Sequence, residues 1–309
     1  VMMFGQRMAA ITGDASYYDY VEKALYNTVI AGINIAGDRY FYVNPLEVVP
    51  EFCTEHTYME HVKPVRQKWF GVACCPPNVG RTLASLGQYI YAEDEYGVYI
   101  NQFISSTADT EVRESRLKIK MNSTLLQDGK VQIEVQSSGP GNLNIRIPWY
   151  SGKCECVQNG IPIEIQPEKG YQRLSISPGD THISLDFHVS PRWMGANNGV
   201  RADAGKAALM KGPLVYCLEE KENGRYLSEI FIEENTSIEE TAPAEELVGN
   251  VPTLSYKGIR VRNKGAVGEN QLYGNVELEK EEVSLQAVPY CMWNNRGEGE
   301  MLVWHKLRV

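Results

Sequence analysis

The sequence predicts an α+β protein of more than one domain, with helices first and short β-strands after them. Three observations support this fold class. The 309 residues are too many for one ordinary hydrophobic core. Apolar residues recur at helical spacing up to about residue 90 and at every second position after Gly87, so helices are followed by strands. Turn clusters separate short, evenly spaced strands, which is typical of a β-sandwich.

Three helices are predicted in residues 1–90. Apolar stripes define the first two: Phe4, Met8 and Ile11, then Tyr18, Val21, Leu25 and Val29. Gly13 ends the first helix, and Asp14 is the predicted N-cap of the second. Pro76-Pro77-Asn78 begins the third, which ends near Gly87. Residues 33–73 have no clear period, and a loop of this length in a compact domain is usually functional.

Strands are predicted wherever apolar and polar residues alternate. A hairpin joins Gln88–Ala92 to Val98–Ile104. The clearest alternating runs follow it: Leu117/Ile119/Met121, Val131/Ile133/Val135, Leu143/Ile145/Ile147 and Ile183/Leu185/Phe187. A second β-rich stretch extends from about residue 196 to 301, with strands near Ala207–Leu218 and Val283–Tyr290.

Composition argues against several classes of protein. No run of 18 apolar residues is present, so no transmembrane helix is predicted. The net charge of −9 argues against a nucleic acid or an anionic membrane as a partner. Seven cysteines make a poor disulfide framework, so reduced thiols and a cytoplasmic location are predicted. The chain starts in helical register without a charged leader, and we expect that it begins inside a longer sequence.

The strongest chemical signal is Cys74-Cys75-Pro76-Pro77-Asn78, where two cysteines precede a helix. The unpaired N–H groups and the dipole of a helix N-terminus favour a thiolate. Both sulfurs are also ligands that suit zinc. An inert buried pair or a vicinal disulfide is the alternative interpretation.

A second candidate set is Cys53, His56 and His61, which could join Cys74 and Cys75 in a structural zinc site, although the spacing fits no standard zinc module. The other cysteines and histidines are predicted to pack in strands: Cys154, Cys156, Cys217, Cys291, His182, His188 and His305. No glycine-rich phosphate loop, Gly-x-Ser-x-Gly elbow or His-Glu-x-x-His is present. Adjacent acidic pairs on strands point to opposite faces, so they do not predict a two-carboxylate glycosidase site.

Several motifs occur together along the chain: Thr12-Gly13-Asp14, Leu25-Tyr26-Asn27, Tyr42-Val43-Asn44-Pro45, Trp69-Phe70, Cys74–Asn78, Arg146–Trp149, Gly212–Tyr216, Val288–Tyr290, Asn295-Arg296-Gly297 and Val303-Trp304. In this combination the sequence resembles glycoside hydrolase family 127, the bacterial β-L-arabinofuranosidases. The resemblance extends over essentially the whole chain.

The resemblance implies the C-terminal part of an (α/α)6 barrel followed by two β-sandwich (jelly-roll-like) domains. Residues 1–91 would be the tail of the catalytic barrel. Residues 92–195 would form the barrel-contacting sandwich and 302–309 its last strand. Residues 196–301 would be an inserted second sandwich, through which a homodimer could form.

The resemblance also implies the chemistry. Cys74 would be the nucleophile of a retaining enzyme and a zinc ligand, and Cys75 a second zinc ligand. Tyr42 would line the substrate pocket, with Asn44 on the same wall. A Glu-x-Cys motif with the other zinc ligands and an acid/base glutamate would precede Val1, so we expect this chain alone to be incomplete. The implied partner is an oligosaccharide of plant type that carries β-L-arabinofuranose.

Two other interpretations remain at this point. The chain could be a non-catalytic carbohydrate-binding or assembly β-sandwich protein with structural cysteines. It could also be a metal-binding protein that uses Cys53, His56, His61, Cys74 and Cys75.

Overall fold

The computed structural model describes residues 1–244, 247, 249–265 and 272–308. The α-helices of this part are Met2–Thr12 (α1), Ser16–Ala24 (α2), Cys75–Ala84 (α3), Gly87–Ile90 (α4), Leu125–Asp128 (α5) and Glu220–Asn223 (α6). A π-helical turn at Leu25–Val29 and a 3-10 turn at Ile30–Gly32 extend α2. Within the described ranges, none of the helices has the length and apolar content to span a bilayer.

The strands account for most of the remaining regular structure. In chain order they are Glu47–Val48 (β1), Tyr91–Asp94 (β2), Gly97–Ile100 (β3), Ser106–Val112 (β4), Ser115–Ser123 (β5), Lys130–Ser137 (β6), Gly141–Arg146 (β7), Glu155–Gln158 (β8), Ile161–Ile163 (β9), Tyr171–Ile176 (β10), Gly179–Asp186 (β11), Pro191–Gly195 (β12), Lys206–Lys211 (β13), Leu214–Glu219 (β14), Ile230–Glu233 (β15), Ile238–Thr241 (β16), Thr253–Asn263 (β17), Leu278–Pro289 (β18), Met301–Leu302 (β19) and Trp304–Arg308 (β20). The protein is therefore a mixture of helices and sheets, as predicted.

The chain divides into two compact units. The first contains Val1–Ile30 and Pro76–Ser190, and the second contains Ala31–Cys75 and Pro191–Val309. The predicted segment 1–91 is thus shared between them. The reason is that the long loop of residues 33–73 forms hydrogen bonds with the C-terminal region. The Tyr290 hydroxyl, for example, donates to the Pro45 carbonyl oxygen at 2.7 Å.

The first unit contains a β-sandwich. One sheet has the order β10-β7-β3-β2 and the other β4-β5-β6-β11-β8-β9. Buried and exposed residues alternate along β5 and β6, as expected for strands with one face in a core. The inward side chains of both sheets form one apolar cluster, which includes Ile100, Leu143, Ile119, Ile133 and Ile183. The structure thus has two sheets with one shared apolar core in this region.

Helix α1 buries a different face from the predicted one. Phe4 and Ile11 are 67% and 79% exposed, whereas Met2, Gly5 and Ala9 are buried. A Cβ at Gly5 would lie 2.8 Å from a methyl group of Val21. The helix therefore packs through its small residues, which allow a close approach, and a search for large apolar side chains misses that face.

Helix α2 buries the predicted stripe, since Tyr18, Val21 and Leu25 are at most 3% exposed. Arg146 of β7 is fully buried and pairs with Asp19 and Glu22 of this helix, at N–O distances of 2.6 and 2.7 Å. A buried cation with two carboxylate partners thus joins α2 to the sandwich.

The second unit is built on one sheet with the strand order β1-β19-β14-β18-β17-β15-β20-β13-β12, and β16 is added on β17. Because β13 also pairs with β14, six of these strands form a closed ring of pairings. The strands of this unit are therefore all connected by pairing in one sheet, whereas the predicted second sandwich would have two separate sheets.

The prediction for the last strand is wrong. Residues 302–309 were predicted to return to the 92–195 domain, but β20 pairs in parallel with β15 and antiparallel with β13, both in the second unit. Val309 lies outside the described residues. Alternating apolar residues show that a segment is a strand but not which sheet it joins, and the observed pairings with β13 and β15 show that this strand belongs to the second unit.

Candidate active site

The two adjacent cysteines lie where helix α3 begins. Cys75 is the first residue of α3 and Cys74 immediately precedes it. Their Sγ atoms are 3.9 Å apart, and both are thiols. Cys74 is exposed and Cys75 is half-buried. The predicted proximity of the two sulfurs is confirmed.

The ionisation of Cys75 differs from the expectation for a helix N-terminus. Partial burial, together with the neighbouring Cys74 sulfur, raises the pKa of the Cys75 thiol above its ordinary value. Burial disfavours the charged thiolate, which is opposite in direction to the effect expected of a helix N-terminus. Cys75 is therefore a weaker acid than an ordinary cysteine thiol.

The predicted pocket residue Tyr42 lies beside Cys75. The Cys75 Sγ is 3.9 Å from the Tyr42 carbonyl oxygen, and the Tyr42 side chain is 45% exposed. The backbone of Tyr42 therefore contacts the cysteine pair, while part of its ring remains open to solvent. Asn44 is half-buried and follows two residues later in the same loop.

Tyr40 holds residues 66–75, the cysteine loop, in place. This residue was not identified from the sequence. Its backbone forms a two-way bridge with Gln67, with both N–O distances at 2.9 Å. Its buried hydroxyl accepts from the Phe70 N–H and donates to the Val72 carbonyl oxygen, both at 3.2 Å. The Phe70 ring in turn lies between Tyr40 and Tyr42, with centroid distances of 5.0 and 5.8 Å. Tyr40 therefore fixes the approach to Cys74 through both its backbone and its side chain.

Arg66 anchors the start of this segment and was also missed. The guanidinium is buried and donates to the carbonyl oxygens of Trp293 and Ala31, at 2.6 and 2.9 Å for the two terminal nitrogens. It lies 4.5 Å from the centroid of the Phe41 ring, and this ring stacks on Trp293 at 4.7 Å. Burial lowers the pKa of Arg66 to about 10, so the side chain remains a cation at neutral pH. A buried arginine carries no sequence signal that separates it from an exposed one.

The five-residue metal site considered above does not form. Cys53 is buried, and its thiol donates to the Val49 carbonyl oxygen at 3.4 Å. His56 and His61 are exposed. In the part of the chain that the structure describes, no group of three or more His, Cys, Asp or Glu side chains is arranged to hold a metal.

Comparisons with known proteins match three successive regions. Residues 1–88 match the catalytic domain of β-L-arabinofuranosidases of glycoside hydrolase family 127. Residues 97–188 match the middle domain and 191–306 the C-terminal domain of the same family. Together these matches cover nearly the whole chain. The chain belongs to glycoside hydrolase family 127.

Relatives in family 127 are similar along almost the full length of this chain. A non-reducing end β-L-arabinofuranosidase of Bifidobacterium longum subsp. longum is 35% identical, over 98% of this chain and 47% of that protein. A crystal structure of a β-L-arabinofuranosidase of the family from Geobacillus stearothermophilus T6 is 36% identical with a TM-score of 0.92, over 99% of this chain and 48% of that one. The structure of a further family 127 β-arabinofuranosidase is 27% identical with a TM-score of 0.86, over 98% of this chain and 48% of that one. The chain therefore spans about half the length of these relatives.

The distance between the Cys74 and Cys75 sulfurs indicates whether both could bind the zinc ion that the family resemblance implies. Two thiolates on one tetrahedral zinc, each at about 2.3 Å, lie about 3.8 Å apart. The observed separation of 3.9 Å fits this requirement, and the thiolate donor set is one that zinc prefers. Cys74 and Cys75 thus fit two positions of a four-ligand site.

Proposed function

We propose that the protein is a retaining glycoside hydrolase that releases β-L-arabinofuranose from plant-type oligosaccharides, with Cys74 as the nucleophile. The observation that carries the proposal is the sulfur pair at the start of α3, with Cys74 exposed and Cys75 half-buried. Membership of family 127 and the activity named for its relatives support the reaction and the sugar. Because the chain spans about half of those relatives, the activity is proposed for the full-length gene product that carries this sequence.

The proposed reaction consists of two displacements at the anomeric carbon. The Cys74 sulfur forms a bond to this carbon while the glycosidic C–O bond breaks, which inverts the configuration. Water then displaces the sulfur from the opposite side and restores the original configuration. The departing oxygen takes a proton from an acid that we assign to no residue of this chain, and the conjugate base of that acid takes up the proton that the attacking water loses, while the sulfur leaves as a thiolate.

The surrounding residues would position the sugar for this reaction. The half-exposed ring of Tyr42 and the neighbouring Phe70 offer apolar faces for the C–H groups of a sugar ring. Asn44 is proposed for the same wall. Tyr40 would act on the reaction indirectly, since its hydrogen bonds to Phe70 and Val72 hold the segment that leads to Cys74.

We propose Zn²⁺ as the cofactor, held in part by Cys74 and Cys75. When bound, zinc favours the thiolate form of its cysteine ligands, which is the form that the raised pKa of Cys75 otherwise disfavours.

The remaining proposals concern partners and location. A homodimer through the 196–301 region is proposed from the family resemblance. A reducing, cytoplasmic location is proposed because all seven cysteines are thiols.

The test is hydrolysis of a chromogenic β-L-arabinofuranoside by the full-length gene product. Cys74→Ser should lower kcat by about a thousandfold or more, because it removes the nucleophile. Cys154→Ser, a half-buried cysteine on the sandwich, is the matched control and should retain wild-type activity. Removal of metal with a chelator should abolish activity, and zinc should restore it.

Two outcomes would contradict the proposal. Wild-type activity in Cys74→Ser would exclude this residue as the nucleophile. Glycan binding without hydrolysis by the wild-type protein would instead favour a non-catalytic carbohydrate-binding β-sandwich protein.

A further inference from the structure

Residues 293–297 form a turn, the asparagine turn, which contains the Asn295-Arg296-Gly297 motif noted in the sequence. Asn294 has a φ of 59°, in the left-handed region that asparagine adopts more readily than most residues. The proposed hydrolysis assigns no role to this turn. Several of its hydrogen bonds, however, go to the long loop of residues 33–73, which precedes Cys74.

The Asn294 side chain holds the main chain where the cysteine loop begins. Its Oδ1 accepts from the Arg66 N–H at 3.3 Å, and its Nδ2 donates to the Pro64 carbonyl oxygen at 2.5 Å. Nδ2 also donates to the Gly297 carbonyl oxygen at 3.0 Å, within the turn. Oxygen and nitrogen of the amide are thus both engaged, and one side chain joins the turn to two residues of the loop.

The two neighbours of Asn294 bind the same loop. The Trp293 carbonyl oxygen accepts from the Arg66 guanidinium at 2.6 Å, and the Asn295 Oδ1 accepts from the Ile35 N–H at 2.9 Å. Three successive residues of the turn therefore each bond to the loop, with partners at least 227 positions away in the sequence. The contact fixes the path of the loop, because its bonds go to backbone groups and to a buried guanidinium.

Buried ion pairs hold the asparagine turn itself. The Asn294 N–H donates to Glu219 Oε1 at 2.8 Å, and the other oxygen of this carboxylate accepts from Arg296. Arg296 also donates two hydrogen bonds to the Glu222 carboxylate, at 2.6 and 3.0 Å, and its side chain is only 4% exposed. Bidentate pairs of this kind have a defined orientation as well as strength. The turn is therefore a fixed anchor for the loop.

A continuous series of contacts leads from this anchor to the proposed nucleophile. Arg66 is followed by Gln67, whose backbone pairs with that of Tyr40 at 2.9 Å in both directions. The Tyr40 hydroxyl donates to the Val72 carbonyl oxygen at 3.2 Å, two residues before Cys74. A displacement of about 1 Å at a reacting atom costs about 100-fold in rate, so the path of this segment matters for the displacement reaction.

We propose that Asn294 is a positioning residue for the hydrolysis. It fixes the main chain at Pro64 and Arg66 and, through the cysteine loop, places the Cys74 sulfur for attack. This inference rests on the proposed function for its effect on kcat, and it adds a residue that touches neither the sugar nor the sulfur.

The test compares Asn294→Gly with Asn159→Gly in the full-length gene product. Glycine adopts a positive φ without strain, so each variant removes a side chain and keeps the backbone. Asn159 is the matched control, because its φ is 50° and its Oδ1 accepts from the distant His182 N–H at 2.8 Å, in the sandwich of the first unit. Asn294→Gly should lower kcat about 10–100-fold, whereas Asn159→Gly should stay within twofold of wild type.

A second variant, Asn294→Asp, keeps the size of the side chain and the acceptor for the Arg66 N–H. It should also lower kcat, because a carboxylate oxygen in place of Nδ2 faces the Pro64 carbonyl oxygen and cannot donate to it. Circular dichroism shows whether each variant is folded during the assay. Failure of both Asn294 variants to fold would overturn the positioning role and make Asn294 a residue of general stability.

Two further measurements separate positioning from a general loss of stability. Tyr40→Phe removes the hydroxyl on the same path, so Tyr40→Phe/Asn294→Gly should lose less in kcat than the product of the two single losses. Amide hydrogen exchange in residues 66–73 should be at least fivefold faster in Asn294→Gly than in wild type, while exchange in β5 and β6 should be unchanged.

The outcomes distinguish this inference from the proposed function. An active wild-type protein with unchanged kcat in both Asn294 variants would overturn the inference and leave the function intact. Losses that multiply in the double variant, unchanged exchange in residues 66–73, or faster exchange over the whole chain would also overturn it. A wild-type protein without hydrolytic activity would contradict the proposed function, and with it the role of Asn294 in hydrolysis.

Discussion

His305 of β20 is a buried histidine whose two ring nitrogens both have partners. Nδ1 lies 3.0 Å from the Val303 carbonyl oxygen and therefore carries the proton, so Nε2 accepts from the Tyr256 hydroxyl at 2.6 Å. The Trp193 ring packs edge-on at 5.3 Å. Burial lowers the pKa of His305 to about 4, and the neutral ring is the form that the fold accommodates.

This histidine should make the second unit acid-sensitive. Because its pKa is lower when folded than the value of about 6.5 in an unfolded chain, the unfolded chain binds more protons. The free energy of unfolding should therefore fall as the pH drops from about 6.5 to about 4, by up to about 3 kcal/mol. Urea unfolding between pH 4.5 and 7.5 measures this slope.

The matched variants for this slope are His305→Gln and His182→Gln. Glutamine at 305 keeps a hydrogen-bond acceptor but does not titrate, so part of the slope should disappear. His182 is exposed, and its variant should keep the wild-type slope. An unchanged slope in His305→Gln would contradict the assignment.

Exposure should set the order in which the cysteines react. Cys74 is exposed, whereas Cys217 and Cys291 are buried and burial raises their thiol pKa values, that of Cys291 to about 12. Since alkylation requires an accessible thiolate, iodoacetamide should modify Cys74 first in metal-free protein at neutral pH. Peptide mass spectrometry over time checks this order. Modification of Cys217 at the same rate in folded protein would contradict it.

At the scale of elements, the buried cluster of Arg146, Asp19 and Glu22 connects α2 to β7. Burial alone would lower the pKa of Arg146, but the two carboxylates raise it above its ordinary value. Arg146→Met would leave two carboxylates in a buried site, which should cost about 3–5 kcal/mol of stability.

Arg116 provides the comparison for this prediction. It pairs with Asp109 at 2.7 Å, but both side chains are about half exposed. Arg116→Met should therefore change the free energy of unfolding by about 0–1 kcal/mol. Denaturant titrations of the two variants measure the difference, and equal effects would show that the Arg146 cluster is not a structural connection.

Two helix-interior glycines should respond oppositely to alanine. A Cβ at Gly5 of α1 would lie 2.8 Å from Val21 and 3.0 Å from the Tyr17 carbonyl oxygen, whereas one at Gly80 of α3 would meet nothing within 4 Å. Gly5→Ala should destabilise the fold by about 1–3 kcal/mol. Gly80→Ala should stabilise it by about 0.5–1 kcal/mol, because alanine loses less backbone entropy in a helix. Thermal unfolding distinguishes them, and a stabilising Gly5→Ala would refute the close packing of α1 on α2.

At the scale of the whole molecule, the net charge of −9 and the pI of about 5.2 determine behaviour in solution. Charge repulsion between copies disappears near the pI, so turbidity should be greatest near pH 5.2 and low at pH 8. A heparin column at pH 7.4 should not retain the protein, because both carry negative charge. Retention there would contradict the prediction that nucleic acids are not partners.

The sequence alone determined the features that depend on neighbouring residues. Period-2 alternation predicted β5, β6 and β11, and the Cys74–Asn78 motif predicted two sulfurs at the start of a helix. The family resemblance predicted Tyr42 as a pocket residue, and its carbonyl oxygen lies 3.9 Å from the Cys75 sulfur. These signals lie within short segments, so they can be recognised from the sequence without the tertiary structure.

Only the tertiary structure decided which distant segments meet. It placed β20 beside β15, assigned residues 31–75 to the unit of the C-terminal sheet, and turned the small-residue face of α1 inward. It also revealed Tyr40 and Arg66 as the supports of the cysteine loop, because their partners lie about 30 or more residues away. Burial and hydrogen-bond satisfaction over such separations depend on packing in three dimensions, which local periodicity does not encode.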